Sequence, residues 1–213
     1  MSDNQQSIML RLKTSTADLH TYAEKRPLQK ALAKGELPRD LFAAYLGQLL
    51  FVHEALEWGL RDQRGTDARF AALFQEDQSR EPNLRDDLAF YGLDADLLEP
   101  LPATRQAVIE IEKMSAESPV GLLGMLYVLE GSNNGSKFIS RVLLRAYQLQ
   151  PGPGLSYLDP YGERQMERWQ EFKRTMDATE FTTDEADCIV DAAKTMFQTI
   201  ADISDAVSQP IAV

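Results

Sequence analysis

Gly131-Ser132-Asn133-Asn134-Gly135-Ser136 is the stretch on which the fold turns. Upstream lies the apolar run Val120 to Leu129; downstream, Phe138 to Leu149 carries Ile139, Val142, Leu143 and Ala146 at helical spacing. Six poor helix formers separate two runs that otherwise read as one helix. A glycine inside a helix costs roughly 0.5–1 kcal/mol relative to alanine, and Ser and Asn compete for backbone hydrogen bonds. Two readings follow. The segment is good loop chemistry and can join two helices. Alternatively the helix continues, kinked, with Gly131 and Gly135 one turn apart on a face nearly free of side chain, against which something flat can lie.

The chain around it has 213 residues, enough for one domain with a sizeable core and an internal cavity. A net charge of -11 argues against a nucleic-acid partner, which needs clustered Lys and Arg. The one cysteine, Cys188, permits no disulfide within the chain and fits a reducing compartment. The first thirteen residues lack the apolar core of a signal peptide. No apolar run approaches the ~18–20 residues that span a bilayer, so a cytoplasmic location without membrane insertion is expected.

Helical periodicity runs almost throughout. Helices are expected over about 8–25, with Ile8, Leu12, Leu19 and Ala23 inward; up to Ala33, stopped by Gly35; over 39–62, opened by Pro38; and over 68–75, 84–91 and 103–114. The interrupted segment 120–149 follows, then a loop at Pro151-Gly152-Pro153-Gly154. A helix over 161–177 turns Trp169 and Phe172 inward. Thr182-Thr183-Asp184-Glu185 has capping-box spacing and opens the last helix. No alternating strand pattern, repeat or dividing linker appears. The reading is one all-α domain spanning 1–213, of about eight helices, with flexible ends at 1–7 and 207–213.

Only two histidines are present, His20 and His53. Leu50 and Ala17 stand three residues before them, so neither belongs to a Glu-x-x-His pair of the kind a dinuclear carboxylate site uses. No zinc-like ligand cluster is visible. At about 100° per residue, Lys13, His20 and Glu24 share one line beside the apolar stripe of the first helix. Glu24, four residues on, can accept a hydrogen bond from one ring nitrogen and hold the imidazole neutral and oriented. Lys13 can reach an anionic group. The plain alternative is a solvated i,i+4 pair. His53 reads as a satisfied, partly buried histidine rather than a ligand. Together, a carboxylate-anchored histidine on one helix and a Gly-xxx-Gly face on another make two walls of a haem site. Iron held by a single histidine keeps its opposite coordination position open.

These residues resemble the bacterial, biliverdin-forming heme oxygenases, notably the type found alongside bacteriophytochromes. The likeness is carried by Leu12-Lys13-Thr14-Ser15-Thr16-Ala17-Asp18-Leu19-His20-Thr21-Tyr22-Ala23-Glu24, by Leu126-Tyr127-Val128-Leu129-Glu130-Gly131-Ser132, by Tyr161-Gly162-Glu163-Arg164 with Trp169 and Phe172, and by Ala192-Ala193-Lys194-Thr195-Met196-Phe197. The resemblance implies a single-domain fold with haem between a proximal and a kinked distal helix. His20 would be the iron ligand and Glu24 its partner. Lys13 and one of Lys173 or Arg174 would contact the propionates. Tyr127 and Phe197 would line the pocket, and Gly131 and Gly135 would form the distal wall. Two positions depart from the family pattern: Ser136 stands where a further glycine is usual, and Ser132 where many members have Asp. Distal water must then be held differently, with Asn133 and Asn134 as candidates.

The implied reaction opens haem, both cofactor and substrate, to biliverdin, ferrous iron and CO, using O2 and electrons from an external donor. No dinucleotide-binding glycine motif is present, so a ferredoxin or a reductase is the implied donor. Its docking patch would be Lys25, Arg26, Lys30 and Lys34, or Arg141 and Arg145. A bacteriophytochrome is a possible acceptor of the product. Two alternatives stay open: a non-catalytic haem- or bilin-binding protein on this fold, and a helical enzyme of the wider superfold acting on another small molecule.

Overall fold

The computed structural model describes residues 7–150 and 152–208. It contains nine α-helices: α1 Ile8–Glu24, α2 Pro27–Lys34, α3 Arg39–Gln63, α4 Ala68–Leu73, α5 Glu81–Phe90, α6 Pro102–Glu117, α7 Gly121–Ala146, α8 Gln165–Ala178 and α9 Thr183–Ser208. Short 3-10 turns occupy Glu76–Gln78, Ala95–Leu97 and Gly162–Arg164. No strand occurs among the described residues, and no helix in them is long and apolar enough to cross a membrane.

Capping residues set several of these boundaries. Ser7 accepts from the Leu10 amide and donates to Asp177 Oδ1 at 2.6 Å, tying the start of α1 to the end of α8. Gly35 closes α2 in the left-handed region at φ 74. The Thr182–Glu185 capping box forms in both directions, at 2.9 and 3.2 Å. Of the ends expected to be flexible, residues 1–6 and 209–213 lie outside the described residues. Ser7 caps α1, and Val207 is buried within α9, so these two residues are held in place.

The loop reading of the Gly-Ser-Asn-Asn-Gly-Ser segment is overturned: α7 runs unbroken through it for 26 residues. Tertiary partners outweigh the poor propensity. Glu130 and Asn133 are buried, and the Lys137 ammonium donates to the Gly162 carbonyl.

Helix α9 lies at the centre, packed against α1, α2, α3, α6 and α7. The α7–α9 contact is the tightest. A Cβ added at Gly124 would stand 1.9 Å from the Ile189 carbonyl oxygen and 3.1 Å from the Ala193 nitrogen. Neither helix can yield there without moving its backbone. Helices α1 and α7 are both fastened to α9 and pack far less on each other; the region bounded by α1, α7 and α9 is the trough. Gly124→Ala should therefore destabilise the fold by about 3 kcal/mol or more, the upper range for overpacking. A domain of this size then loses roughly 6–12 °C in Tm. Calorimetry checks this, and an unchanged Tm would contradict the α7–α9 packing.

Candidate functional site

On one wall of the trough, α1 presents Lys13 and His20 beside its buried line of Leu12, Thr16 and Ala23. His20 is half exposed; its Nδ1 lies 3.5 Å from Glu24 Oε2, too far for a hydrogen bond. Its ring meets Phe197 of α9 edge to face, with centroids 5.5 Å apart. Glu24 and Phe197 thus flank the imidazole.

The facing wall is the open side of α7. On a helical projection Tyr127, Gly131, Asn134, Gly135 and Phe138 fall within about 100° of one another. Gly135 is exposed with nothing within 4 Å of an added Cβ, and Phe138 is 63% exposed. Gly131 is partly covered by Trp169 of α8. At one end Tyr127 lies near Thr16 of α1; burial raises its phenol pKa, and the Thr16 hydroxyl only partly offsets the rise.

The polar side chains of the segment satisfy their own helix. Ser132 Oγ donates to the Leu129 carbonyl at 2.7 Å, Asn134 Nδ2 to the Gly131 carbonyl at 3.0 Å and Ser136 Oγ to the Ser132 carbonyl at 3.0 Å. The carbonyls of Leu129, Gly131 and Ser132 are therefore occupied. Asn134 Oδ1 also accepts from Gln165 at 3.4 Å. Asn133, the other candidate for holding water, turns away from the trough and is buried.

Lys173 is half-buried, with Nζ 5.8 Å from the Trp169 ring. Arg174 projects about 100° further round α8 and is exposed, so of the two cations Lys173 faces the wall. Lys13 is exposed on the opposite wall.

Behind α7 lies a buried polar network that spacing alone did not reveal. His53 Nδ1 is 3.1 Å from Glu57 Oε1, and Nε2 is 3.2 Å from the Tyr157 hydroxyl. Glu57 also accepts from the Ser79 hydroxyl, the Arg80 amide and Arg61. Arg80 continues to Glu130 at 3.2 Å, which accepts from Tyr161 at 2.8 Å. Burial raises the Glu57 pKa, but the bonds from His53, Ser79 and Arg80 outweigh it and hold the carboxyl below its usual range. At Glu130 burial wins over Arg80 and Tyr161, and the pKa is raised. The signal available in the sequence was Glu57 four residues after His53, the spacing already noted for His20 and Glu24. An open cleft of about 450 Å³ lies on this rear side, over Glu130, Tyr161 and Arg168. It is separate from the trough.

Among the described residues no group of three or more His, Cys, Asp or Glu is placed to hold a metal ion.

The described residues form an all-helical protein with an exposed histidine on α1 and an uncovered glycine on α7. The heme oxygenase family profile matches residues 6–206, and the chain belongs to that family. The heme oxygenase of Guillardia theta is 27% identical over 187 residues, 85% of this chain and 77% of that protein. The structure of heme oxygenase from Leptospira interrogans superposes with a TM-score of 0.87 at 25% identity, covering 94% of this chain and 99% of that one. Heme oxygenase-2 from Synechocystis, in complex with heme and NO, superposes with a TM-score of 0.88 at 22% identity, covering 95% and 85%.

Glu57 gives this site a pH test. Its folded pKa is depressed, so its contribution to stability is present above the unfolded value of about 4.5 and is lost as pH falls through the folded one. Glu57→Gln should cost about 2–4 kcal/mol at pH 7, as for a buried charge-assisted network. The deficit should start to shrink as pH falls below about 4.5 and vanish only below the depressed folded value, where the native side chain is protonated as well. Urea denaturation across pH reads both effects; equal stability at pH 7 would contradict the network.

Proposed function

We propose that this heme oxygenase binds haem in the trough between α1 and α7, with His20 Nε2 on the iron. The haem is cleaved there to biliverdin, ferrous iron and CO with O2 and external electrons. The observation that carries the reading is the pairing of an exposed His20, flanked by Glu24 and Phe197, with the unobstructed Gly135 surface. Bound haem supplies the iron at which O2 is activated. A neutral imidazole binds that iron without the electron push of a thiolate. Lys13 and Lys173 stand where they can pair with the propionates, and Phe197 keeps the imidazole side dry. The Gly131–Gly135 face brings the helix backbone close to the opposite side of the ring. Ser132, Asn134 and Ser136 can exchange the bonds to their own carbonyls for bonds to water on that side. Ser132 and Ser136 leave the face less bare than a run of glycines.

Nothing in the sequence binds flavin or nicotinamide, so the electrons are taken to come from a ferredoxin or a reductase. Arg26 is paired with Asp205 and Lys34 lies 4.0 Å from Glu36, which weakens the α1–α2 patch as a docking surface. Arg141 and Arg145 make no ion pair among the described residues and project from the same side of α7 as Phe138, which favours that alternative. Delivery of the bilin to a bacteriophytochrome, and a cytoplasmic setting suited to a lone Cys188, complete the proposal.

Hemin added to the purified protein should give a His-ligated Soret band, and reduction with ascorbate or with ferredoxin and its reductase should yield biliverdin. His20→Ala should fold normally and lose turnover, with partial rescue by imidazole. No Soret band with the unmodified protein would remove the haem reading. A band without biliverdin would leave a binding protein. Full turnover by His20→Ala without imidazole would remove the ligand assignment.

A further inference from the structure

The wall that α7 presents is not uniform. A Cβ at Gly131 would meet the Trp169 indole at 3.4 Å, whereas at Gly135, one turn on, it would meet nothing within 4 Å. The indole is held from several directions. It stacks nearly parallel on buried Phe172, with centroids 5.7 Å apart and planes 14° apart, and it leans on Tyr127 at 6.0 Å. The Lys173 ammonium lies over the same ring. Gly131 points to the middle of the open side of α7, so the indole stands on the trough side of the helix and not behind it. A flat ring pressed on the Gly131–Gly135 face has to share that face with Trp169.

We propose that Trp169 is a specificity-determining residue: it covers the Gly131 half of the wall, confines the macrocycle to the Gly135 half, and so fixes which meso bridge faces α7. The inference rests on the haem reading given above. The four meso bridges of haem are chemically alike, so choice among them has to come from how the ring is seated. Lysines alone fix that seating poorly. Lys13 and Lys173 end in flexible ammonium groups that can follow a propionate as the ring turns over or rotates. An indole clamped between Phe172 and Tyr127 has two side-chain torsions and cannot follow. The Lys173 ammonium lies 5.8 Å from the indole centre, so the cation and the steric stop act at one edge of the ring.

Two readouts test this: the haem-methyl NMR pattern of the cyanide-inhibited ferric complex, which reports seating without turnover, and the isomer composition of the biliverdin formed. The unmodified protein should show one seating and one dominant isomer, and Trp169→Phe, which keeps a stacked ring, should largely preserve both. Trp169→Ala should show a second set of haem methyls, and its isomer ratio should fall about tenfold, equivalent to roughly 1.4 kcal/mol. Trp169→Leu repeats the test with the apolar bulk on Phe172 kept, in case the alanine variant folds poorly. A single, native methyl pattern and an unchanged isomer ratio in either variant would overturn the proposal, as would mixed seating in the unmodified protein. Failure of the unmodified protein to bind hemin at all would instead remove the reading on which it rests.

Discussion

The trough exists because α1 and α7 are fastened to α9 rather than to each other. Gly124 lets α7 lie against the α9 backbone at Ile189, at a separation no side chain would permit. Buried Ile189, Ala193 and Met196 fill the contact, and Phe197, next on α9, is carried into the floor of the trough beside His20. One close helix contact therefore sets the wall, the floor and the orientation of the imidazole. Loosening it would move all three.

The second constraint lies behind the wall. A helix with two glycines, two serines and two asparagines in six residues has little reason to persist by itself. The rear face of α7 is held by Glu130 on Arg80 and Tyr161, and by Lys137 on the Gly162 carbonyl. Arg80 is in turn fixed through its amide to Glu57, which His53 binds. Stability is thus placed on the side of α7 away from Gly135, which leaves the Gly135 side free to be thin. Asp87 extends this support: it accepts from the amides of Gly154, Ser156 and Tyr157, and so seats Tyr157 on His53.

Local features of the site were legible in the sequence, and long-range ones were not. His20 with Glu24, the Thr182–Glu185 cap and the Gly131/Gly135 spacing depend on separations of three or four residues, and periodicity displays those. Whether residues 131–136 form a loop or a helix depends on Arg80, Tyr161 and Gly162, which are about 30–50 residues away and act through burial. Trp169 could be assigned to an inward face, but not to the surface of Gly131, because that requires the register of α8 on α7. The start of α8 shifts for a related reason: residues 162–164 form a 3-10 turn that Lys137 holds from α7. His53 was legible as a satisfied histidine, whereas the carboxylate network it anchors was not.

The central claim is that the Gly135 surface is bare to receive a flat ligand and not to allow helices to pack. Hemin titration of Gly135→Leu, with its Tm measured alongside, tests this most directly. The position is open, so the substitution should gain about 0.5–1 kcal/mol of helix stability and raise Tm by roughly 1–4 °C, while hemin affinity falls at least tenfold. Unchanged hemin affinity in the stabilised variant would contradict the account.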